Sequence, residues 1–452
     1  MVSRRTPVDN YLANLPPGWK RLPLKRCVAI KITDGPHETP ELVDDGIPFV
    51  SAESVRDGKI DFDRRRGNIS LALHRHYIRK CHPRRDDILL CKSGATTGKA
   101  AIVDVDFEFS VWSPLAQIRC DEEKATARFI FWALHAVYLQ DQIRTTWSHG
   151  TQPNISMKAI EQLNVAVPQL DEQRAIAGFL DRETAKIGEL IGKKEELVNL
   201  FYSRQRAQNA HLVSRGLEPK VDVENVINCW PYAIPQHWSI CALRWVVLSK
   251  CDGPFGSGLK NEHYSESGVR VIRLQNIGSG IFCDEDQAFI PIDYYATLGD
   301  HTVIPGDLLI AGLGDVAHPV GRACIAPPNL GNAMVKADCF RFRLDQQTLN
   351  PEFAAHFLTA SAFADAGKDS TGTTRMRVNL TSTGSRRISF PSLDEQLRIV
   401  EAIQINHKRD LMIIDAIQRA VRQLREYRAA LISAAVTGQI DVRDYRTEGS
   451  CL

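Results

Sequence analysis

Short runs of apolar and β-branched residues, bounded by glycine and proline, recur along the chain. They stand at Ile47-Pro48-Phe49-Val50, Asp87 to Cys91, Val271-Ile272-Arg273-Leu274 and Val303 to Ile310. Runs of this kind read as strands. Ala127 to Ile143 and Pro351 to Ala366 read as helices, so the pattern predicts modules of mixed α/β (α+β) class. Two stretches are of another kind. From Asp171 to Ser214 and from Asp394 to Thr437 there is no proline, and Ala, Glu, Lys, Arg, Gln and Leu dominate, which are helix formers. Pro168 or Pro391 precedes each, acids fill the first turn, and Ser392 and Glu395 stand at capping-box spacing. Each stretch has 44 residues, about 66 Å at roughly 1.5 Å per residue. In the first, Glu183, Ile187, Leu190, Lys194, Leu197, Phe201 and Arg204 follow an alternating 4-3 spacing. In the second, Ile399, Ile403, Ile414, Ile417, Val421, Leu424 and Leu431 lie near one stripe. An apolar stripe of this length needs a partner, and the nearest candidate is the other long helix. The alternative is that each helix packs on its own module.

The second half of the chain repeats the first. Pro-Pro-Gly-Trp at 16–19 returns as Pro-Gln-His-Trp at 235–238, and Asp87-Ile88-Leu89-Leu90 as Asp307-Leu308-Leu309-Ile310. Gly98-Lys99-Ala100-Ala101-Ile102 returns as Gly321-Arg322-Ala323-Cys324-Ile325, and Gly150-Thr151 as Gly372-Thr373. Pro168-Gln169-Leu170-Asp171-Glu172-Gln173 returns as Pro391-Ser392-Leu393-Asp394-Glu395-Gln396. The offsets are 219, 220, 223, 222 and 223, so the period is that of a domain rather than a solenoid unit.

Net charge is only +2, from 56 Lys+Arg against 54 Asp+Glu, which excludes an overall basic coat and leaves local patches as the route to any nucleic-acid contact. Eleven cysteines stand singly, without a Cys-x-x-Cys pair, a usage that fits a reducing cytoplasm. No signal peptide is expected at the N-terminus, and the most apolar run, Phe129 to Leu139, is too short to span a bilayer and contains His135.

Several segments imitate enzyme motifs. Gly94-Ala95-Thr96-Thr97-Gly98-Lys99-Ala100 resembles a phosphate-binding loop, but it has three residues between the glycines and Ala after the lysine. A Gly-rich turn with a cation at its end, able to meet a DNA phosphate, explains it and its counterpart Gly321-Arg322. Phe255-Gly256-Ser257-Gly258 looks like part of a methyl-donor pocket, yet the Asn/Asp-Pro-Pro-Tyr/Phe clamp of an amino-methyltransferase is missing from the sequence. His74, His76, Cys81 and His82 fit no standard zinc spacing and are interleaved with Arg75, Arg79, Lys80, Arg84 and Arg85, so they read as a basic loop. Between Arg64 and Lys92 there are nine Lys/Arg, three His and two acids; between Ser370 and Arg387 there are four arginines and no acid. Local cationic density of this kind neutralises phosphates, and Arg, Asn and Thr can read base edges. The candidate DNA-contacting residues are Arg64, Arg65, Arg66, Arg75, Arg79, Lys92, Thr96, Thr97 and Lys99 in the first half. In the second half they are Lys260, Arg273, Asn276, Arg322, Thr373, Thr374, Arg375 and Arg377.

The duplicated layout resembles the specificity subunits of Type I restriction-modification systems over nearly the whole chain. The phrases that carry it are Leu15-Pro16-Pro17-Gly18-Trp19, Ile234-Pro235-Gln236-His237-Trp238 and Asp252-Gly253-Pro254-Phe255-Gly256-Ser257-Gly258-Leu259-Lys260. Pro305-Gly306-Asp307-Leu308-Leu309, the two helix starts and the ending Ala435-Val436-Thr437-Gly438-Gln439-Ile440-Asp441-Val442-Arg443 complete the set. The resemblance implies target recognition domains at 1–169 and 235–391, spacer helices at 170–215 and 392–440, a linker at 216–234 and a tail at 441–452. The helices are expected to pair antiparallel through Ile187, Leu190, Leu197, Phe201, Ile403, Ile414, Ile417, Val421 and Leu424, and to dock partners. It further implies a non-catalytic, cytoplasmic chain that reads an asymmetric bipartite site in double-stranded DNA. Partners would be two modification (methyltransferase) subunits and, in the full complex, restriction (translocase/nuclease) subunits. S-adenosylmethionine, ATP and magnesium would belong to those partners, with no metal or cofactor on this chain. Two other classes compete: a self-contained DNA methyltransferase or restriction enzyme, and a coiled-coil scaffold whose modules bind protein or sugar.

Overall fold

The computed structural model describes residues 11–13, 15–147, 153–227, 230–364 and 376–442. Two compact units emerge, residues 1–195 with 418–452, and residues 196–417. Each contains one α/β module and a portion of each long helix.

In unit 1 the module opens and closes on one antiparallel ribbon, β1 (Lys20–Pro23) against the last strand of the module, Asn164–Val167. Between them come β2 (Thr33–Asp34), β3 (Ile47–Val50), β4 (Val55–Arg56), β5 (Lys59–Ile60), β6 (Gly67–Ile69) and helix α1 (Leu71–Tyr77). Then follow β7 (Ile88–Cys91), β8 (Ala100–Ile102), β9 (Ser110–Val111), β10 (Leu115–Ile118), α2 (Ala127–His135), α3 (Val137–Thr145), α4 (Met157–Glu161) and β11 (Asn164–Val167). The main sheet is antiparallel, in the order β2-β10-β7-β8; a second sheet runs β6-β3-β9, its β3–β9 pair parallel. Phe129, Ile130, Phe131 and Leu134 of α2 pack on Ile88, Leu90, Ala100 and Ile102 of the main sheet in the largest core of the unit.

The stretch expected as one helix from Ala127 is broken at Ala136, whose ψ of 146° is extended. The break frees the Val137 N–H, which donates to the Ser433 hydroxyl at 2.9 Å. A half-buried N–H at a helix start thereby finds a partner.

Unit 2 repeats this plan. Its ribbon is β14 (Ser239–Ala242) with β25 (Arg387–Phe390), preceded by β12 (Val223–Asn225) paired with β13 (Ala233–Pro235). The main sheet runs β15 (Val247–Cys251), β23 (Cys339–Leu344), β19 (Leu308–Ala311), β21 (Ala323–Ile325), the same order as in unit 1. The second sheet runs β17 (Phe289–Ile290), β16 (Val269–Ile272), β22 (Ala333–Val335), β18 (Thr302–Val303), and β16–β22 is again the parallel pair. A minor pair, β20 (Leu313–Gly314) with β24 (Met376–Arg377), completes the strands. Phe353, Phe357 and Leu358, on the helix Pro351–Ala364, cover Leu308, Ile310 and Phe342.

The two long helices are Leu170–Arg215 and Leu393–Val436, α5 and α9 in chain order, with α6 (Ile292–Tyr295), α7 (Pro351–Ala364) and α8 (Leu380–Ser385) between them. Both start on a buried glutamine. Gln173 donates to the Pro168 and Lys124 carbonyls (2.9 and 3.1 Å) and accepts from Thr126 N–H (2.8 Å). Gln396 donates to the Pro391 and Thr348 carbonyls (2.9 and 3.1 Å) and accepts from Asn350 N–H (2.7 Å). Both end on a left-handed glycine, Gly216 (φ 81°) and Gly438 (φ 70°), where a Cβ would be strained. Gln439 N–H reaches back to the Ala434 carbonyl (2.9 Å), satisfying one of the orphan acceptors of the helix end.

Within each unit the helices run antiparallel. In unit 1 Ile187 and Ile191 of α5 pack with Val421, Leu424 and Leu431 of α9, and Arg425 donates to Glu195 at 2.7 Å. In unit 2 Arg204 donates to Asp410 at 2.5 Å, and Gln205 meets His407 at 2.7 Å. Phe201 is half-buried beneath the Arg204 guanidinium, 4.7 Å from its ring centroid, and Ile403, Ile414 and Ile417 are buried. Leu190 and Leu197 correct the expected seam: they are 44% and 42% exposed, while Ile191 is only 8% exposed. The buried phase is set where Ile176 and Leu180 enter the module core, and from there it runs through Ile187, Ile191, Lys194, Val198 and Phe201.

Candidate nucleic-acid interface

The modules share a frame that the chain builds twice. Asp87, buried ahead of β7, accepts from Arg84 N–H at 2.7 Å and is held bidentately by Arg119. Asp307, buried ahead of β19, accepts from Ile304 N–H at 2.9 Å and is held the same way by Arg343. At the far end of β2 lies the turn Asp34-Gly35-Pro36; at the end of β15 lies Asp252-Gly253-Pro254. A Cβ at Gly35 would collide with the Val111 carbonyl oxygen, and one at Gly253 with the Val335 carbonyl oxygen. Only glycine admits so close an approach of two backbones.

In unit 1 this turn is a centre of positive charge. Lys80 and Lys92 lie 2.6 and 3.0 Å from the two oxygens of Asp34, and His37 lies 3.2 Å away. Burial works against ionisation of Asp34, but hydrogen bonds from both lysines hold its carboxyl below the usual carboxylate range. Beside it the Arg66 guanidinium stands 4.0 Å over the Trp112 ring, whose Nε1 donates to the Glu38 carbonyl at 3.1 Å. Arg64 is paired with Asp61 (3.5 Å), and Arg65 donates to Asn68 (2.9 Å) and to the Phe62 carbonyl (3.1 Å); both are exposed. Arg75 on α1, Arg79 just beyond it, and Lys99 are exposed. The Gly94–Ala100 segment is the β7–β8 turn, in which Thr97 donates to the Gly94 and Pro153 carbonyls (2.7 and 3.1 Å) and Thr96 lies beside the Cys91 thiol. Lys92 is a correction: it is largely buried on Asp34, so it stiffens the site rather than presenting a free cation. His74 is buried on Ser110 (2.9 Å) and Glu108 (3.2 Å), and His82 shares that glutamate (3.0 Å).

Unit 2 uses other groups at the same turn. Asp252 accepts from Gly253 N–H (2.7 Å) and Asp338 N–H (3.0 Å), and burial pushes its carboxyl up to about 6. Arg377 is exposed, pairs with Asp338 at 2.8 Å and lies 5.8 Å over Phe255. Lys260 is exposed, with Glu262 at 3.6 Å. Two expected contacts, Arg322 and Asn276, are corrected by burial. Arg322 is 5% exposed and donates to the carbonyls of Ile277 (2.7 Å), Leu274 (2.9 Å), Leu313 (3.1 Å) and His318 (3.2 Å), clamping the module interior. Asn276 is fully buried and bridges the Cys283 and Asp286 carbonyls (2.8 Å each). Arg273 is half-buried and ion-paired with Asp286. Thr373, Thr374 and Arg375 lie outside the described residues.

Sequence reasoning missed Asp34, His37, Glu38, Trp112 and Asp338. Only the Asp-Gly-Pro phrase, repeated at an offset of 218, offered a signal. Among the described residues no group of His, Cys, Asp and Glu is placed to hold a metal ion, and no helix is long and apolar enough to cross a membrane.

A twice-built α/β module carried on paired helices defines a two-domain recognition protein. Residues 36–199 match the family model described as the Type I restriction modification DNA specificity domain. The chain is 21% identical over 400 residues to the Type I restriction enzyme MjaVIII specificity subunit of Methanocaldococcus jannaschii, covering 88% of this chain and 87% of that one. It is 21% identical over 441 residues to the EcoKI specificity subunit of Escherichia coli, covering 94% and 90%. A chain from a solved structure concerned with assembly and conformational transition of the type I restriction-modification system shares the fold, with a TM-score of 0.68, at 16% identity. That match covers 94% of this chain and 100% of the other. Over most of its length the chain is similar to the specificity subunits of Type I restriction-modification systems.

Proposed function

We propose that this chain is the DNA sequence-recognition subunit of a Type I restriction-modification complex, each module reading one half of a bipartite site. The observation that carries this reading is a frame held in common beneath a surface that differs. The ion pair, the glutamine peg and the Asp-Gly-Pro turn recur in both modules, while the groups around that turn are Lys80, Lys92 and Arg66 in one and Arg377, Phe255 and Asp338 in the other. Two different readers on one scaffold recognise an asymmetric target, and linking them raises the effective concentration of the second at its half-site. The long helices set the separation of the half-sites.

The outward apolar side chains of the helices, Leu190, Leu197 and Leu200 on α5 and Ile405 and Met412 on α9, are the docking faces for two modification subunits. Exposed apolar groups in such number mark interaction surfaces. The chain itself performs no catalytic step and works in the cytoplasm. S-adenosylmethionine, ATP and magnesium act on the modification and restriction subunits.

The test is co-purification with a Type I modification subunit from the same organism, followed by DNA binding across a salt series and methylation mapping in cells. A complex with two modification subunits that marks a split, non-palindromic sequence supports the reading. A chain that ignores both that subunit and DNA overturns it and favours a scaffold.

A further inference from the structure

In unit 1 the turn after Asp34 and the end of α1 enclose a cavity of about 330 Å³ lined by Pro36, His37, Glu38, His76, Tyr77 and Lys80. Its lining is chemically specific. Tyr77 is 3% exposed; its hydroxyl forms no hydrogen bond of good geometry but faces the Glu38 carboxylate, which together with burial pushes the phenol up to about 12. A buried hydroxyl so weakly paired has capacity left for a bound polar group. Lys80 directs two of its three N–H donors to Asp34 (2.6 Å) and the Gly35 carbonyl (2.9 Å). The rim is braced by Trp112, bonded to the Glu38 carbonyl and covered by Arg66.

Unit 2 builds the corresponding place differently. After Asp252-Gly253-Pro254 the chain folds down, so that Leu259 is buried with Val269, Val271 and Ile290. Tyr294 of α6 donates to the Gly258 carbonyl at 2.9 Å and packs at a tilt against the His263 ring, centroids 4.3 Å apart. What two copies of a module share serves their fold. What differs at an equivalent turn serves what must differ between them, which is the sequence each reads.

We infer that this cavity is a base-reading element of unit 1 and takes the major-groove edge of a G·C pair. Lys80 donates its remaining N–H to guanine O6 or N7, Glu38 accepts from the cytosine amino group, and the Tyr77 hydroxyl joins the base edge. A lysine beside a carboxylate presents a donor and an acceptor together, which suits guanine O6/N7 next to cytosine N4. A phosphate fits less well, because Glu38 would repel it and Asp34 already balances Lys80. This inference rests on the DNA-recognition function proposed above.

The test uses the whole complex with its modification subunit, mapping methylation genome-wide for wild type and for Lys80→Gln, Glu38→Gln and Tyr77→Phe. Expected is relaxation at one G·C position of one half-site, by about fivefold or more, with the other half-site unchanged. Tyr77→Phe should relax the same position while changing the thermal stability of the complex little, since it deletes a buried hydroxyl that is only weakly paired with Glu38. Both half-sites as in wild type would overturn the inference. So would a uniform weakening at all sites with a shallower salt dependence, which marks a phosphate contact, or a loss of methylation everywhere, which marks structural support. A wild-type complex that marks no split sequence would instead remove the function on which the inference stands.

Discussion

Arg119 grips both carboxylate oxygens of Asp87, Nε to Oδ1 at 2.8 Å and Nη2 to Oδ2 at 2.7 Å, and Arg343 grips Asp307 at 2.9 and 2.9 Å. Both aspartates are buried, so removing the guanidinium strands a negative charge inside the module. Arg119→Ala and Arg343→Ala are expected to cost about 2–4 kcal/mol each, somewhat less than the roughly 3–5 kcal/mol of a fully buried pair because the arginines reach the surface. Urea unfolding with hydrogen exchange read by unit checks this. Each variant should weaken its own unit, and a change below about 0.5 kcal/mol, the size of an ordinary surface substitution, would show the pair to be ornamental.

The glutamine pegs give a second prediction. Gln173→Ala removes three hydrogen bonds and leaves the Thr126 N–H buried without its acceptor; Gln396→Ala does the same to Asn350 N–H. The expected loss is about 2–3 kcal/mol each. Faster amide exchange in the first turns of α5 or α9 would report it, and unchanged exchange there would contradict it.

Adjacent residues on α5 separate seam from surface. Ile191→Ala should destabilise unit 1 by about 2–4 kcal/mol, since Ile191 packs with Val421. Leu190→Ala, at an exposed position, should change stability by about 0.5 kcal/mol or less and instead weaken capture of the modification subunit. Unfolding midpoints and pull-down yields measure the two effects. The reverse ranking would restore the expected stripe.

Asp252 makes unit 2 sensitive to acidity. Its folded carboxyl titrates near 6, raised from 3.8 by burial and by the nearby Asp338 charge, against the N–H groups of Gly253 and Asp338 and the charge of Arg377. A raised acid binds its proton more tightly when folded, so the contribution of this group to stability falls as pH rises from about 4 to about 6 and is level above. Asp252→Asn should flatten that slope and stabilise unit 2 at neutral pH. Unfolding curves of wild type and variant between pH 4 and 8 test it; parallel curves would rule out the assignment.

The sequence phrases that repeat are the ones that set backbone geometry. Asp87 and Asp307 carry the ion pairs, Gln173 and Gln396 the pegs, and Gly98 and Gly321 the turns at φ 90° and 86°. These were legible because a twofold-used frame leaves the same residue types at a steady offset. The site was harder to read. Charge density along the chain does not reveal which carboxylate a cation will meet, so Lys92 on Asp34 and Arg322 among backbone carbonyls were invisible. Two positions of the α5 seam shifted by one residue, from 190 to 191 and from 197 to 198, for a similar reason. Leucines at 190 and 197 satisfy a heptad as well as Ile191 and Val198 do, and the docking of Ile176 and Leu180 in the module core selects between them.

The core of unit 1 draws Leu12 and Trp19 from the start of the chain and Ile432, Ala435, Val436 and Val442 from its end, whereas unit 2 is drawn from residues 196–417 alone. Domains usually mature on the ribosome in the order of their synthesis. Here the order inverts: the central unit has all its residues first, and the module translated earliest waits for the last turn of α9 to close its core. A break in the last turns of α9 therefore injures the module of unit 1, far away in sequence, and spares that of unit 2, which precedes the break.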